Sequence, residues 1–373
     1  AALRIIRIRF RCAIKPLAPG EKHLTPYESS GGTGRYGENM RVATWRGGSE
    51  FTVDTVDDPS PGPGQVVLNV HSSGICGTDI HKTQGLFPGT PPEVLGHEFT
   101  GPVVEIGEGV ESSILGKVVV CSLNAACGEC EGCKTWSAMH CEREPRMAGG
   151  FAEYVLVDQR QAHIVPDGLD PETASMTEPA ACVVSCLNMI GDLEQGCDAL
   201  VVGGGLLGLL TVGILKLRGA GRVILSEPNP KRLAMGKQFG ADVLNDPTKD
   251  DLGELVNDLT GGYGVKIGAE AVGVPQLVAN VSKMIRPRGN LVLVGVSPVG
   301  SPLPVDLYDL HYREITVGGA FGAGDAFAEA LGTLPRLNLK GVVSGRYPLE
   351  EITQAFAASA GGEGVKYMIA PHD

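Results

Sequence analysis

The sequence predicts an α/β protein: a mostly-β domain joined to a doubly wound domain with a parallel sheet. Three observations carry that expectation. The chain has 373 residues, more than one domain usually holds. Between Met40 and Pro179, short apolar runs alternate with Gly/Pro turns. From Cys197 the period changes, and strand-length apolar runs alternate with longer helical ones.

Residues 1–39 stand apart. Arg4, Arg7, Arg9 and Arg11 are interspersed with Leu3, Ile5, Ile8 and Phe10, and no acid precedes Glu21. That composition also fits a transit peptide. With no initiating Met, and with a first strand opening at Met40, the favoured expectation is an upstream extension or misassigned start, disordered and without function. Strands are then expected at 65–71, 101–106, 117–122 and 151–157, where apolar residues are bounded by turn residues. In the second style, 199–202, 222–226, 265–269, 290–294 and 315–318 read as strands, with helices at 206–217 and 230–238. The tail returns to the first style, with a helix at 349–358 and a strand at 366–370. The domains expected are therefore 40–180, then 181–321 inserted as the doubly wound unit, then 322–373 completing the first domain.

Composition narrows the function. A net charge of −12 and a pI near 5.2 argue against binding nucleic acid or a membrane surface. No apolar run approaches the roughly 20 residues of a membrane span. Of ten cysteines, Cys127, Cys130, Cys133 and Cys141 cluster at metal-ligand spacing. With no secretory signal visible, reduced, metal-bound thiols in the cytoplasm are expected.

Those four cysteines can close a tetrahedral shell around Zn²⁺, the structural type of site, with Gly128 and Gly132 letting the backbone curl. An iron–sulfur cluster has similar spacing. A redox role is disfavoured, because no thioredoxin-like βαβ unit surrounds the pairs. A closed site does no chemistry, so a second set is considered separately. Cys76 and His97 lie in the stretch from Gly74 to Glu98 and suit a borderline-soft cation. Catalytic zinc takes three protein ligands, and the candidates for the third are Glu178, Cys182 and Cys186.

Gly203-Gly204-Gly205-Leu206-Leu207-Gly208 follows a strand and opens a helix, the context that a dinucleotide fingerprint requires. Gly203 permits the tight turn, and Gly205 lets backbone N–H groups approach the pyrophosphate. Leu206 and Leu207 begin the helix whose positive end faces that pyrophosphate, and Gly208 allows helix and strand to pack closely. This makes the second domain a Rossmann unit. Glu227 ends the next strand, where its carboxylate can accept bonds from the ribose hydroxyls and repel a 2′-phosphate. NAD is therefore expected over NADP, although Lys231 and Arg232 nearby keep NADP open.

Assembled, the chain resembles the zinc-containing medium-chain dehydrogenase/reductase family, in its alcohol and polyol (sorbitol-dehydrogenase-like) branch. The resemblance rests on Cys76-Gly77-Thr78-Asp79-Ile80-His81, Gly96-His97-Glu98, the four-cysteine lobe, Gly150-Phe151-Ala152-Glu153-Tyr154, Glu178-Pro179 and the glycine fingerprint, and spans roughly residues 40–371. It implies a GroES-like catalytic domain and two zinc ions per chain. Cys76, His97 and Glu178 would hold the catalytic zinc, with Glu98 beside it, and Cys127, Cys130, Cys133 and Cys141 the structural one. Thr78 and His81 would form a proton relay between the alcohol and solvent, and hydride would pass between NAD and the carbinol carbon. Glycine at position 77, where some members carry a basic residue, removes a contact to the pyrophosphate. The short segment between Cys141 and Gly149 would reshape one wall of the cleft. The substrate implied is a small alcohol or carbonyl compound, a polyol or secondary alcohol, and the assembly a dimer or tetramer. Threonine, sugar and aminocyclitol dehydrogenases share every motif quoted, as would a non-catalytic dinucleotide-binding relative. A zinc-ribbon nucleic-acid module predicts a basic chain, and a zinc-independent quinone reductase should lack Cys76, His97 and the lobe.

Overall fold

The computed structural model describes residues 39–143 and 149–373. The extension expected over 1–39, apart from Asn39, and residues 144–148 of the segment between Cys141 and Gly149 lie outside the described residues. Strands run β1 Asn39–Gly47, β2 Glu50–Asp57, β3 Gln65–Asn69, β4 Ser72–Gly74, β5 Glu93–Val94, β6 Glu98–Ile106, β7 Val118–Cys121, β8 Tyr154–Asp158 and β9 Ala162–Ile164. They continue as β10 Asp198–Val202, β11 Arg222–Ser226, β12 Val243–Asn245, β13 Val265–Glu270, β14 Ile285–Leu293, β15 Thr316–Gly319, β16 Val343–Tyr347 and β17 Lys366–Ile369. The expected α/β architecture is present.

An eight-stranded sheet is ordered β16-β17-β4-β6-β3-β8, with β7 pairing β6 and β9. The run expected as one strand at 65–71 is split, because β3 and β4 pair with opposite edges of β6. The chain must turn between them, and the His71 N–H donates to the Thr100 carbonyl there. Strand β2, not expected from the sequence, pairs antiparallel with β1. The last two strands rejoin this sheet through β17 and β4. Phe99, Val66, Leu68, Val119 and Val155 fill its core.

The second sheet is ordered β12-β11-β10-β13-β14-β15, every neighbour parallel. That is the Rossmann order, in which the strand sequence reverses between the first and fourth strands. Its two faces alternate along each strand: Ala199, Val201, Val223 and Leu225 face the helices Thr177–Asn188 and Leu206–Leu217. Leu200, Val202 and Ile224 face Val256, Val278 and Val281 on the other side. Burial on both faces explains why these strands read as continuous apolar runs. The helix expected at 230–238 ends at Met235. A Cβ on Gly236 would lie 2.4 Å from Leu225 Cδ2, so the backbone itself packs on the sheet there.

Candidate functional site

Strand β4 ends at Gly74 and β6 begins at Glu98, and the two residues are directly paired. Two residues past β4, Cys76 caps the helix Gly77–Thr83: its Sγ accepts from the Thr78 N–H at 3.4 Å. Its own N–H donates to Asp79 Oδ2 at 2.9 Å, completing a reciprocal cap. Asp79 Oδ1 lies 3.4 Å from His97 Nδ1, which leaves Nε2 as the ring nitrogen turned away from that carboxylate. A carboxylate on the far nitrogen is how metal-ligating imidazoles are usually oriented. Gly96, at φ +91, lets Phe151 pack where a side chain would stand.

Cys76 Sγ, a His97 ring nitrogen and a Glu98 carboxylate oxygen lie within 4.8 Å of one another. Glu98 is also ion-paired with the buried Lys366 of β17. Glu178 stands outside that trio, buried in the first turn of the helix Thr177–Asn188, where its Oε1 accepts from Cys182 Sγ at 3.4 Å. Burial pushes the Glu178 carboxyl pKa up; the His97 charge opposes that shift and the Glu98 charge adds to it. Burial also works against a charged His97, yet Asp79 and Cys76 hold its pKa well above the usual value. Three carboxylates and two thiols thus face one imidazole and one ammonium. That donor set fits a divalent cation of zinc's softness. Thr78 and His81 lie three apart on the helix Gly77–Thr83, hence on one face.

In the lobe, the four sulfurs of Cys127, Cys130, Cys133 and Cys141 lie within 4.8 Å of one another. Cys127 and Cys133 Sγ are 3.9 Å apart, and Cys130 and Cys141 Sγ 4.0 Å. Those separations are too long for disulfides and match the edge of a tetrahedron with Zn–S bonds of about 2.3 Å. Backbone N–H groups of Glu129 and Cys130 donate to Cys127 Sγ at 3.5 and 3.4 Å. They lower the Cys127 thiol pKa to about 6, favouring the thiolate that binds metal.

The glycine loop has the geometry its residues suggest. Gly203 sits at φ +103, and its N–H donates to the Ser226 carbonyl at 2.9 Å. A Cβ on Gly208 would come 1.8 Å from Gly203 O, whereas one on Gly205 would meet no protein atom within 4 Å. Leu206 and Leu207 open the helix Leu206–Leu217. Glu227 is buried beneath the loop, accepting from the Gly204 N–H at 2.6 Å and the Asn229 N–H at 2.8 Å. Arg232 donates to the carbonyls of Gly364, at 3.0 Å, and Gly362. Its guanidinium is thereby tied to the loop before β17.

Two site residues carry roles the sequence reading did not assign. Asp79 has a local signal, since Cys76-x-x-Asp79 is the spacing of a reciprocal helix cap. Lys366 has a weaker one, a single charge in an otherwise apolar strand.

The family model for zinc-binding dehydrogenases matches residues 207–336, and that for the alcohol dehydrogenase GroES-like domain matches 62–167. A sorbitol dehydrogenase of Halalkalibacterium halodurans is 32% identical over 341 residues, 89% of this chain and 99% of that protein. An L-threonine 3-dehydrogenase of Thermococcus kodakarensis is 32% identical over 333 residues, 85% of this chain and 93% of that protein. Among solved structures, a chain of Sinorhizobium meliloti 1021, assigned to the zinc-binding dehydrogenases and bound to NADP, superposes with a TM-score of 0.83. It is 31% identical, with 89% of this chain and 99% of that chain covered.

Proposed function

The chain belongs to the zinc-binding dehydrogenase family and is an oxidoreductase, and on that premise we propose that it is an NAD- and zinc-dependent dehydrogenase of polyols or secondary alcohols. The observation that carries this reading is the convergence of Cys76, His97 and Glu98 within 4.8 Å, with Glu178 buried beside them. Cys76, His97 and Glu178 are the protein ligands of the catalytic zinc. Glu178 is favoured because Glu98 is already neutralised by Lys366. When bound, zinc supplies the Lewis acidity that acidifies an alcohol hydroxyl, and the nicotinamide accepts hydride.

The chain's own groups do the rest. Asp79 fixes the His97 ring through Nδ1. Thr78 Oγ1 accepts the substrate's hydroxyl proton and passes it towards His81, on the same helix face. Helix Leu206–Leu217 presents its N-terminal N–H groups to the pyrophosphate past Gly205. Glu227 keeps acceptor capacity beyond its two backbone bonds for the ribose hydroxyls. NAD is favoured over NADP because Glu227 places a carboxylate where a 2′-phosphate would sit, and Arg232 is engaged elsewhere. The four-cysteine lobe holds a second, structural zinc.

A polyol is the substrate class supported by the sorbitol dehydrogenase relative. A threonine-type substrate is the second reading, supported by the Thermococcus kodakarensis relative. Among the described residues no helix is long and apolar enough to cross a membrane, and a cytoplasmic homo-oligomer is the accompanying proposal. The test is NAD reduction by zinc-replete protein with sorbitol, threonine, butane-2,3-diol, aminocyclitols and short alcohols. Turnover should appear with a polyol or diol and vanish on chelation. Dinucleotide binding without turnover of any alcohol would instead identify a non-catalytic relative.

A further inference from the structure

The four-cysteine lobe packs against the chain where it leaves the doubly wound sheet. Phe321 and Gly322 follow the carboxyl end of β15. His140, which immediately precedes Cys141, meets the Phe321 ring edge-on, with centroids 5.8 Å apart and planes at 70°. Trp136 meets the same imidazole edge-on, also at 5.8 Å. Gly322 sits at φ +59, and a Cβ there would lie 2.6 Å from Met139 Cε and 3.1 Å from its Sδ. Glycine is thus needed twice, for the left-handed backbone and for the approach of the thioether. Both sides of the contact are anchored. On the lobe, the Ala138 carbonyl accepts from Asn124 Nδ2 at 3.3 Å, and Ser137 Oγ lies 3.0 Å from His140 Nδ1. Opposite, the Ala323 carbonyl accepts at 2.6 Å from Ser185 Oγ, on the helix that carries Glu178.

The place of this contact gives it a consequence beyond packing. In a doubly wound sheet the ligand lies outside the carboxyl ends of the strands, each half of a dinucleotide over one half of the sheet. Glu227, just past β11, marks the adenosine half, so the nicotinamide half falls over β13, β14 and β15. Past the ends of those three strands stand Val272, Val296 and Phe321, each a large apolar side chain left exposed. Such a row in a crevice marks a surface that a flat ring can cover. Phe321 is 61% exposed, and the lobe supplies one of the sides on which it is held. We propose that Met139 and His140 are positioning residues that fix the Phe321–Gly322 turn at the nicotinamide end of the crevice, so that the four-cysteine lobe governs how tightly that end is bound. The proposal rests on the reading of the chain as a dinucleotide-dependent dehydrogenase.

Calorimetric titration of the zinc-replete protein with NADH and with ADP-ribose, the same molecule without its nicotinamide, tests this. Met139→Ala/His140→Ala should bind NADH about 10-fold more weakly, the scale of a lost aromatic pair and thioether contact. It should bind ADP-ribose as the parent does and keep the parental zinc content. Met139→Leu, which conserves volume, should restore NADH affinity when paired with the native His140. A purely structural contact would weaken both ligands alike. Parental NADH affinity in the double variant, or equal weakening of NADH and ADP-ribose, would overturn the proposal. If the double variant loses zinc, His140→Ala alone decides, its side chain being exposed. NADH weakened about 3-fold beside unchanged ADP-ribose supports the proposal, and parental affinity for both overturns it. A parent that binds neither ligand would remove the dinucleotide reading itself, an outcome distinct from the loss of this proposal alone.

Discussion

Replacing two glycines three residues apart, Gly205 at the N-cap and Gly208 in the first turn of the helix Leu206–Leu217, should have opposite consequences. Gly208→Ala would place a Cβ 1.8 Å from Gly203 O. That carbonyl cannot retreat easily, because Gly203 is held at φ +103 and its N–H is bonded to Ser226 O at 2.9 Å. The helix must therefore lift off the sheet, an overpacking that costs about 1–3 kcal/mol or more. The better helix propensity of alanine returns about 1 kcal/mol. Because 1.8 Å to a backbone oxygen is far inside contact distance, the cost falls at the upper end of that range and a net loss of about 2 kcal/mol is expected, through an apolar face that includes Leu209 and Leu210. Gly205→Ala meets no protein atom within 4 Å, and its φ of −68 suits alanine. Stability should stay within about 1 kcal/mol of the parent, because the entropic gain of alanine is offset by its poor fit to the N-cap. The same methyl stands where the pyrophosphate must approach the backbone. Losing one charge-assisted hydrogen bond, about 1.5–3 kcal/mol, weakens NAD binding roughly 10- to 150-fold. Denaturant midpoints and NAD titrations of both variants separate the two effects. Parental NAD affinity in Gly205→Ala, or parental stability in Gly208→Ala, would refute the reasoning.

Metal analysis should find that Cys130→Ser loses one zinc together with stability, since structural zinc contributes folding energy. Cys76→Ser should lose the other zinc and activity while the fold survives; full occupancy of both sites in either variant would reject that division. Glu227→Ser should raise KM for NAD about 10- to 150-fold and improve use of NADP. Because it also strips an acceptor from the Gly204 and Asn229 N–H groups, some stability should go with it; unchanged kinetics with both cofactors would count against the role. Glu178→Ala should release the catalytic zinc or cut turnover severely. Cys182→Ala should cost only modest packing stability, and the opposite ranking would move the ligand role to the thiol.

The parts of the fold that were legible are those where the residue pattern is local. The helix at 206–217 and the strand at 222–226 appear as read. Their apolar runs are buried on both faces and punctuated by glycines whose φ or close contacts need them. The four-cysteine lobe was legible for the same reason, all its donors falling in one short stretch. Strand β2 was missed because its burial alternates weakly, with no residue fully inside. The split of 65–71 was missed because it depends on β6 lying between β3 and β4, a non-local fact. The site divides in the same way. Cys76, His97 and Glu98 are brought together by one strand pair, within a single stretch of sequence. Lys366 joins them from 268 residues beyond Glu98. A lone lysine in an apolar strand hints that it has a buried partner, but nothing nearby says which. Asp79 was within reach, since its capping position follows from spacing alone.

The central claim is that Cys76, His97 and Glu178 hold a catalytic zinc while Glu98 stays with Lys366. Diffraction from crystals of the zinc-loaded protein, collected at the zinc absorption edge, tests it most directly. Two anomalous peaks per chain are predicted. One should sit among Cys127, Cys130, Cys133 and Cys141, and the other should be bonded to Cys76 Sγ, His97 Nε2 and a Glu178 oxygen. A second peak bonded to Glu98 with Glu178 turned away, or no peak at Cys76, would contradict the account.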